Sequence, residues 1–111
     1  MRLSKTDFML SLAAKAGKTV SGETGVLNAV RSGKAFLCIV TEDASDNTKK
    51  KFRDKCSFYE VPFYIYGNRE QTAHVIGKDV RSSVAVTDIN LANQIILNLE
   101  EMSADGEDQD K

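Results

Sequence analysis

The sequence predicts an α/β domain in which helices cover both faces of a β-sheet. Segments with apolar residues at helical spacing alternate along the chain with short apolar runs, which is the pattern of this fold class. The run AFLCIV at residues 35–40 is continuously apolar, as expected for a strand buried on both faces. A length of 111 residues fits one domain with its own hydrophobic core.

The first half of this pattern begins with a helix predicted over residues 5–16. Ser4 and Asp7 have the spacing of a capping box at its start, and Gly17 is placed to end it. Residues 19–21 are a candidate short strand. A second helix then ends at Ser32-Gly33. The apolar faces of the two helices are Phe8, Met9, Leu12, Ala13 and Ala16 in the first, and Val26, Leu27 and Val30 in the second.

A third helix is expected after the polar loop TEDASDN, with Asp46 or Asn47 as its N-cap. Phe52, Cys56 and Tyr59 repeat at helical spacing and predict its buried face.

A strand is predicted at residues 61–66, with Pro62 tolerated near its start. The spacing of Asn68 and Gln71 predicts a capping box for a short helix that ends at Gly77. Residues 83–87 form a predicted strand of small residues. Asp88 is placed to cap a last helix, whose expected apolar face is Ile89, Ala92, Ile96 and Leu99.

Composition excludes several classes of protein. Hydrophobic residues make up 41% and charged residues 28%, which is ordinary for a soluble globular domain. We find no apolar run near the roughly 20 residues of a membrane helix. The N-terminal segment MRLSKTDFML is too short and interrupted for a signal peptide. We therefore expect a cytoplasmic protein without a membrane partner, and a monomer.

Charge is distributed unevenly. Residues 100–111 carry six acidic residues and one lysine, so residues 1–99 carry a net charge of about +4 despite the overall −1. We expect residues 1–99 to be a single domain and residues 100–111 to be an acidic, disordered tail. A basic body predicts a polyanion-binding face, although the same charge could serve only solubility.

The residues provide no catalytic group, cofactor loop or metal site. Gly17-Lys18-Thr19 matches the end of a phosphate-binding loop, but Leu12 stands where that loop needs glycine. The two cysteines, at positions 38 and 56, fall on apolar faces and are expected to be buried thiols. His74 is the one histidine of the chain, too few for the usual zinc ligand sets. We therefore expect a non-enzymatic protein without a cofactor.

The strongest candidate for an anion site is the segment SGETG at residues 21–25. Glycines allow a phosphate backbone to approach, and a helix that starts near Gly22 directs free N–H groups outward. The basic residues that flank it in sequence are Lys15, Lys18, Arg31 and Lys34. The lysine run at 49–51 is a further candidate for phosphate contact, or simply a solvated helix face.

The same region carries a resemblance to a known family. The stretch KAGKTVSGETGVLNAVRSGKAFLCIVTEDAS, followed by NTKKKFRDKC, YEVPFY and IGKDVRSSVAVTD, resembles the ribosomal-protein L-seven-Ae family of kink-turn RNA-binding proteins. It is most similar to the bacterial YlxQ-like branch, over residues 5–99. The resemblance implies a three-layer α/β/α sandwich with a four-stranded mixed sheet. It also implies binding of structured RNA, possible binding of ribosomal RNA, and association with the ribosome or a translation factor.

The family motif that enters the RNA groove is glycine, any residue, asparagine, glutamate, two residues, then lysine. Gly22 and Glu23 fit the first two positions, whereas Thr24, Gly25 and Asn28 replace the asparagine, glutamate and lysine. These replacements remove groups that read bases or neutralise phosphate. The resemblance therefore implies RNA binding that depends on Lys18, Lys34, the 22–25 backbone and the 49–55 helix.

The second contact implied by the resemblance is the loop before the last strand. Val80 would pack on an extruded base, Arg81 would stack on a base or bridge a phosphate, and Ser82 belongs to the same loop. The leading hypothesis is a ribosomal-protein-type RNA-binding protein. The alternative is a protein-interaction adaptor on the same fold, motivated by the altered motif.

Overall fold

A sheet of four strands lies between two layers of helices in the computed structural model of the protein. The structure describes the backbone of residues 3–109 and the side chains of residues 3–102. Its helices are α1 (Lys5–Lys15), α2 (Glu23–Arg31), α3 (Asp46–Phe58), α4 (Arg69–Ile76) and α5 (Ile89–Gln109). Its strands are β1 (Thr19–Ser21), β2 (Leu37–Val40), β3 (Phe63–Ile65) and β4 (Ser83–Val86).

The sheet is mixed, with the strand order β1-β4-β2-β3. β2 and β3 are parallel, while β4 runs antiparallel to both β1 and β2. The sheet consequently has two ends. We call the end where β1, β2 and β3 finish and β4 begins the upper end, and the opposite one the lower end. The upper-end residues are Ser21, Val40, Ile65 and Ser83, and the lower-end residues are Thr19, Leu37, Phe63 and Val86.

The alternation of side chains along the strands separates two hydrophobic cores. Leu37 and Ile39 of β2 pack into a core with α1, α4 and α5. Cys38 and Val40 point to the other face, into a core with α2 and α3. All four residues are buried, which explains why this segment is apolar without interruption. The three-layer α/β/α sandwich with a four-stranded mixed sheet is therefore confirmed.

Local sequence signals predicted the helix ends well. Ser4 and Asp7 form a reciprocal capping box at the start of α1. Gly17, with a φ of 72°, follows the end of that helix in a conformation that favours glycine. Gly77 adopts the left-handed conformation at the end of α4. Asp88 accepts a hydrogen bond from the backbone N–H of Leu91 and so caps α5, as predicted.

Several predicted side-chain roles were wrong, some because of a neighbouring residue and others because of contacts distant in sequence. Ser45, not Asp46 or Asn47, caps α3, because its hydroxyl accepts from the backbone N–H of Thr48. The side chain of Gln71 donates to the carboxylate of Asp7 on α1, at 3.0 Å, so only Asn68 caps α4. The residues of the predicted apolar faces that the structure leaves exposed are Phe8, Leu12, Ala16, Tyr59 and Ile89.

The helix α5 buries Ile95 completely, whereas the predicted Ile96 is only partly buried and packs at the edge of that core. The strands are shorter than predicted, since residues 35–36, 61–62, 66 and 87 lie outside them. α5 continues past residue 99 to Gln109. The predicted disorder of residues 100–111 stays a prediction, because the side chains of residues 103–111 lie outside the described residues.

Candidate nucleic-acid interface

The N-terminus of α2 at the upper end of the sheet is open to solvent. Gly22 is its N-cap residue, with a φ of 89° and a ψ of 153°, a conformation available essentially only to glycine. Gly22 has no side chain, and no side-chain cap hydrogen bond is present at this helix. The first backbone N–H groups of α2 therefore keep their capacity to bind an anion, which the helix dipole also favours.

The loop before β4 lies directly beside this helix N-terminus. Arg81 donates from Nε to the hydroxyl of Ser21, at 3.3 Å, and from Nη1 to the carbonyl of Val80, at 3.1 Å. The backbone N–H of Gly22 donates to the carbonyl of Ser83, at 3.1 Å, which fixes the helix start to β4. The carbonyl of Ser82 accepts from the backbone N–H of Thr41 and anchors the loop. Two segments distant in sequence are thus held at one place.

Together they form an open groove of about 430 Å³, which we call the main groove. Arg81 crosses it close to Gly22, where a Cβ atom would lie 3.8 Å from the arginine Nε. Seven predicted RNA-binding residues therefore come together, with Ser21 as an additional lining residue. The lining residues are Ser21, Gly22, Glu23, Thr24, Gly25, Val80, Arg81 and Ser82.

Gly25 has a structural role that its sequence position did not reveal. A Cβ atom at this residue would lie only 2.8 Å from Cγ1 of Val20 in β1, closer than real Cβ contacts come. α2 therefore approaches β1 too closely for a side chain at this position. A glutamate at this position would collide with Val20 unless one of the two elements moved, a packing relation that no local pattern could indicate.

Glu23 places a carboxylate at the mouth of the main groove. Its Oε2 lies 3.1 Å from Nζ of Lys51 on α3, and about half of each side chain is exposed. An exposed ion pair of this kind contributes little stability, typically less than about 1 kcal/mol. Its consequence is electrostatic, because Lys51 offsets a negative charge that would otherwise oppose an approaching phosphate.

The basic residues of α3 do not form one RNA-facing row. Lys51 pairs with Glu23, whereas the guanidinium of Arg53 lies over the ring of Phe63, 5.6 Å from its centre. Lys50 is exposed, and Lys49 and Lys55 are partly exposed. Of the lysine run, Lys51 is the residue whose described contact reaches the main groove. For the rest of the run, phosphate contact and a solvated helix face stay alternatives.

A second groove of about 480 Å³, the side groove, lies on the other side of Val80. Val80 lines both grooves and is 57% exposed, which makes it an apolar ridge between two polar depressions. Arg69 at the start of α4 is held there by Asp43, with its Nε 3.4 Å from the carboxylate. Arg69 could not be identified from the sequence, because its partner Asp43 stands 26 residues earlier in the chain. The side groove is lined by Asp43, Asn68, Arg69, Glu70 and Val80.

The remaining predicted residues lie away from the main groove. Asn28 is exposed on α2, one turn beyond Thr24 and outside the groove lining. Lys18 precedes β1, so it lies at the lower end of the sheet, and its carbonyl accepts from the backbone N–H of Thr87. Lys15, in the last turn of α1, and Lys34, beyond the end of α2, also lie at the lower end of the sheet. The expected single surface is therefore divided between two ends of the domain.

Other candidate chemistry has structural explanations. Cys38 and Cys56 are free and buried beside each other. Hydrogen bonding with Cys56 and burial raise the pKa of Cys38, so this thiol stays protonated. His74 is exposed on α4. Within the described part of the chain, no cluster of acidic, histidine or cysteine side chains could hold a metal ion. No described helix combines the length and apolarity needed to cross a bilayer.

Comparison with known proteins supports the resemblance seen in the sequence. The family model "Ribosomal protein L7Ae/L30e/S12e/Gadd45 family" matches residues 4–96. The chain is 47% identical over 88 residues to RNA-binding protein YlxQ of Bacillus subtilis, covering 79% of this chain and 88% of that protein.

Two solved structures are similar in fold. A protein of unknown function from Bacillus halodurans is 36% identical, with a TM-score of 0.83, over 86% of this chain and 96% of its own. The 15.5kD RNA binding protein of Giardia lamblia is 17% identical, with a TM-score of 0.74, over 91% and 92%. At that identity, the Giardia protein supports the fold alone.

Proposed function

Because the chain belongs to the ribosomal protein L7Ae/L30e/S12e/Gadd45 family, we propose that it binds structured RNA through the main groove. The observation that carries this proposal is the meeting of an uncapped helix N-terminus with the Val80–Ser82 loop in one open depression. Similarity to a curated RNA-binding protein at 47% identity supports it.

Each part of the main groove has a distinct chemical task in this proposal. The free N–H groups after Gly22 bind phosphate oxygens, which position the RNA without reading its sequence. Arg81 is held along the groove by Ser21, so its planar guanidinium can bridge a phosphate or stack on a base. Val80 offers an exposed apolar surface to an unstacked base. Lys51 offsets the charge of Glu23 at the groove mouth.

We further propose that the RNA is kink-turn-like and ribosomal or otherwise linked to translation, and that the protein associates with the ribosome or a translation factor. Thr24 has one hydroxyl with which to contact a base edge, and Gly25 has no side chain. The protein should therefore discriminate less sharply between a kink-turn and other bent RNAs than a chain with the full family motif. We also propose a cytoplasmic, monomeric and non-enzymatic protein without a cofactor or membrane partner.

The test is a titration of labelled RNA at two salt concentrations. The RNAs are a standard kink-turn, fragments of ribosomal RNA and a scrambled duplex of the same length. We expect the kink-turn or a ribosomal fragment to bind more tightly than the scrambled duplex, and affinity to fall steeply with salt. Equal binding of all three RNAs would reject the proposal.

Two variants locate the binding site within this experiment. Arg81→Ala should weaken binding of the preferred RNA about tenfold, the size of one lost stacking or charged contact. Arg53→Ala makes the same change of charge on α3, where the arginine covers Phe63, and serves as the matched control. If both variants weaken binding equally, Arg81 acts only through net charge and the main groove is not the site.

A protein-interaction adaptor is the second candidate, favoured by apolar surface on the outer face of α1 and α5. Phe8, Leu12 and Leu97 are 55%, 44% and 63% exposed. They line an open depression of about 390 Å³ on the layer of the sandwich opposite to α2. Exposed apolar patches commonly mark binding sites for proteins.

The adaptor hypothesis has its own test. A tagged protein would retain a defined protein partner after nuclease treatment, and Phe8→Ser with Leu97→Ser would release that partner. The variant Arg81→Ala, which lies outside this apolar surface, would not release the partner. Loss of all partners with nuclease would reject this candidate.

A further inference from the structure

The lower end of the sheet carries a cluster of cations that the main groove does not use. We call this cluster the lower basic patch and define it by Lys15, Lys18, Arg31 and Lys34, all of which are exposed. Chain topology places them at one end of the domain, because α1 and α2 both end at this side of the sheet and β1 and β2 both begin there. Lys15 belongs to the α1 layer, and Arg31 and Lys34 belong to the α2 layer.

The spacing within this patch suits a phosphate backbone. Thr19 and Leu37 pair with Val86 from opposite sides, so their Cα atoms lie two strand spacings apart, about 10 Å. Lys18 directly precedes the first of these residues and Lys34 lies three residues before the second. Lysines carried by two neighbouring chain segments in this way can contact two different phosphates of one RNA backbone.

The surroundings of the patch favour a polyanion over other partners. Among the residues whose side chains are described, the ion pairs are Lys51–Glu23 and Arg69–Asp43, so none of the four cations is paired with a carboxylate. Two carboxylates lie at the same end of the sheet, Asp88 as the N-cap of α5 and the exposed Glu60 before β3, so the four cations outnumber the acidic groups there. Phe36, 36% exposed, lies two residues from Lys34. Unpaired cations with an exposed aromatic ring are typical of nucleic-acid surfaces.

The patch is separate from the main groove. Four residue steps along extended chain carry Lys18 about 13 Å from Gly22. The nine residues of α2 carry its last turn about 13 Å from the groove at its start. A short RNA held at the N-terminus of α2 therefore ends before it reaches the patch, whereas a longer stem can span both.

We propose that the lower basic patch binds the phosphate backbone of a second segment of the same RNA, so that the domain contacts one RNA stem at both ends of its sheet. This inference rests on the proposed RNA binding and adds a second contact, which makes the affinity depend on the length of the RNA stem.

The experiment compares two RNAs that share one kink-turn but differ in the length of one stem. The full chain should bind the long RNA more tightly and with a steeper salt dependence. The double variant Lys18→Ala with Lys34→Ala should lose that advantage and bind the short RNA as before. Each lysine–phosphate contact contributes about 0.7–0.9 to the slope of log affinity against log salt. Between 50 and 200 mM salt, the unmodified protein should therefore lose about tenfold more affinity for the long RNA than the variant does.

Controls separate charge from structure and the patch from the main groove. Lys18→Arg with Lys34→Arg keeps both charges and should keep the salt slope. Lys5→Ala removes one exposed charge from the start of α1, at the upper end, and should leave the length advantage intact.

The outcomes distinguish the two proposals. An unchanged long-RNA slope in the Lys18→Ala, Lys34→Ala variant overturns the patch while leaving the main groove. If the unmodified protein binds neither RNA better than a scrambled duplex, RNA binding itself fails. If the unmodified protein binds two molecules of the short RNA and the variant binds one, the patch holds a separate RNA and the single-stem geometry is wrong.

Discussion

Replacement of Gly25 by alanine should destabilise the protein, even though alanine is the better helix former. The added Cβ would meet Cγ1 of Val20 at 2.8 Å, well inside contact distance. Forcing an extra carbon into a packed site costs about 1–3 kcal/mol. The intrinsic preference of a helix for alanine over glycine returns only about 0.5–1 kcal/mol. We therefore expect a net loss of about 1–2 kcal/mol in the free energy of unfolding.

A double-mutant cycle tests whether Val20 is the cause. Val20→Ala alone removes part of a half-buried side chain and should cost about 1 kcal/mol. The double variant Val20→Ala with Gly25→Ala should lose less free energy of unfolding than the sum of the two single losses, by about 1–2 kcal/mol. The reason is that the new Cβ occupies the space vacated by Val20. Urea unfolding followed by circular dichroism gives the four free energies. A stable Gly25→Ala protein, or a coupling of zero, would refute the packing explanation.

The same cycle decides how the family motif could be restored. Glutamate at position 25 together with Asn28→Lys should raise selectivity for a kink-turn only in the Val20→Ala background, where α2 can keep its position. The measurement is the ratio of affinities for the kink-turn and a scrambled duplex. If Gly25→Glu with Asn28→Lys raises this ratio equally in the presence of Val20, steric exclusion at β1 does not explain the altered motif.

Three further predictions concern Gly22, Tyr66 and the two cysteines. Gly22→Ala forces alanine into a backbone conformation with a φ of 89°, which should lower the free energy of unfolding by about 1–3 kcal/mol. The midpoint of urea unfolding should fall accordingly, and an unchanged midpoint would contradict the strain. Burial and the neighbouring Asp7 raise the pKa of Tyr66 to about 12, above the 10 of an exposed tyrosine. The stability that this tyrosine contributes should therefore be fully present below pH 10 and decline as the pH rises toward 12. In urea titrations at pH 8 to 11.5, Tyr66→Phe should lessen this decline. Cys38 and Cys56 are buried and the pKa of Cys38 is raised, so a thiol reagent should label them only after unfolding; rapid labelling of the folded protein would contradict this packing.

Signals that act within a few residues were sufficient to predict most of the architecture. The capping box at Ser4 and Asp7, the glycine at position 77 and the run at 35–40 each depend on local backbone chemistry or on burial of both faces. The alternation of helices and strands predicted helices on both faces of the sheet, and the four-stranded mixed sheet came from the family resemblance. The strand order was not predicted, because no local pattern states which strands pair. Helix faces were less reliable where tertiary contacts compete. Ile95 rather than Ile96 fills the core because the direction of α5 is determined by packing against α1 and the sheet.

The candidate site shows why distance along the chain is a poor guide to a charged surface. Lys18 stands four residues before Gly22, yet an extended strand places the two at opposite ends of the sheet. Lys51 stands 28 residues after Glu23, yet their charged atoms lie 3.1 Å apart because α2 and α3 pack on the same face. A strand advances about 3.3 Å per residue, so even three residues of β1 exceed the range over which exposed charges act strongly at physiological salt, about 8 Å. The electrostatic separation of the two proposed RNA contacts is therefore a consequence of the extended path of β1, and charge composition alone could not distinguish two contacts from one.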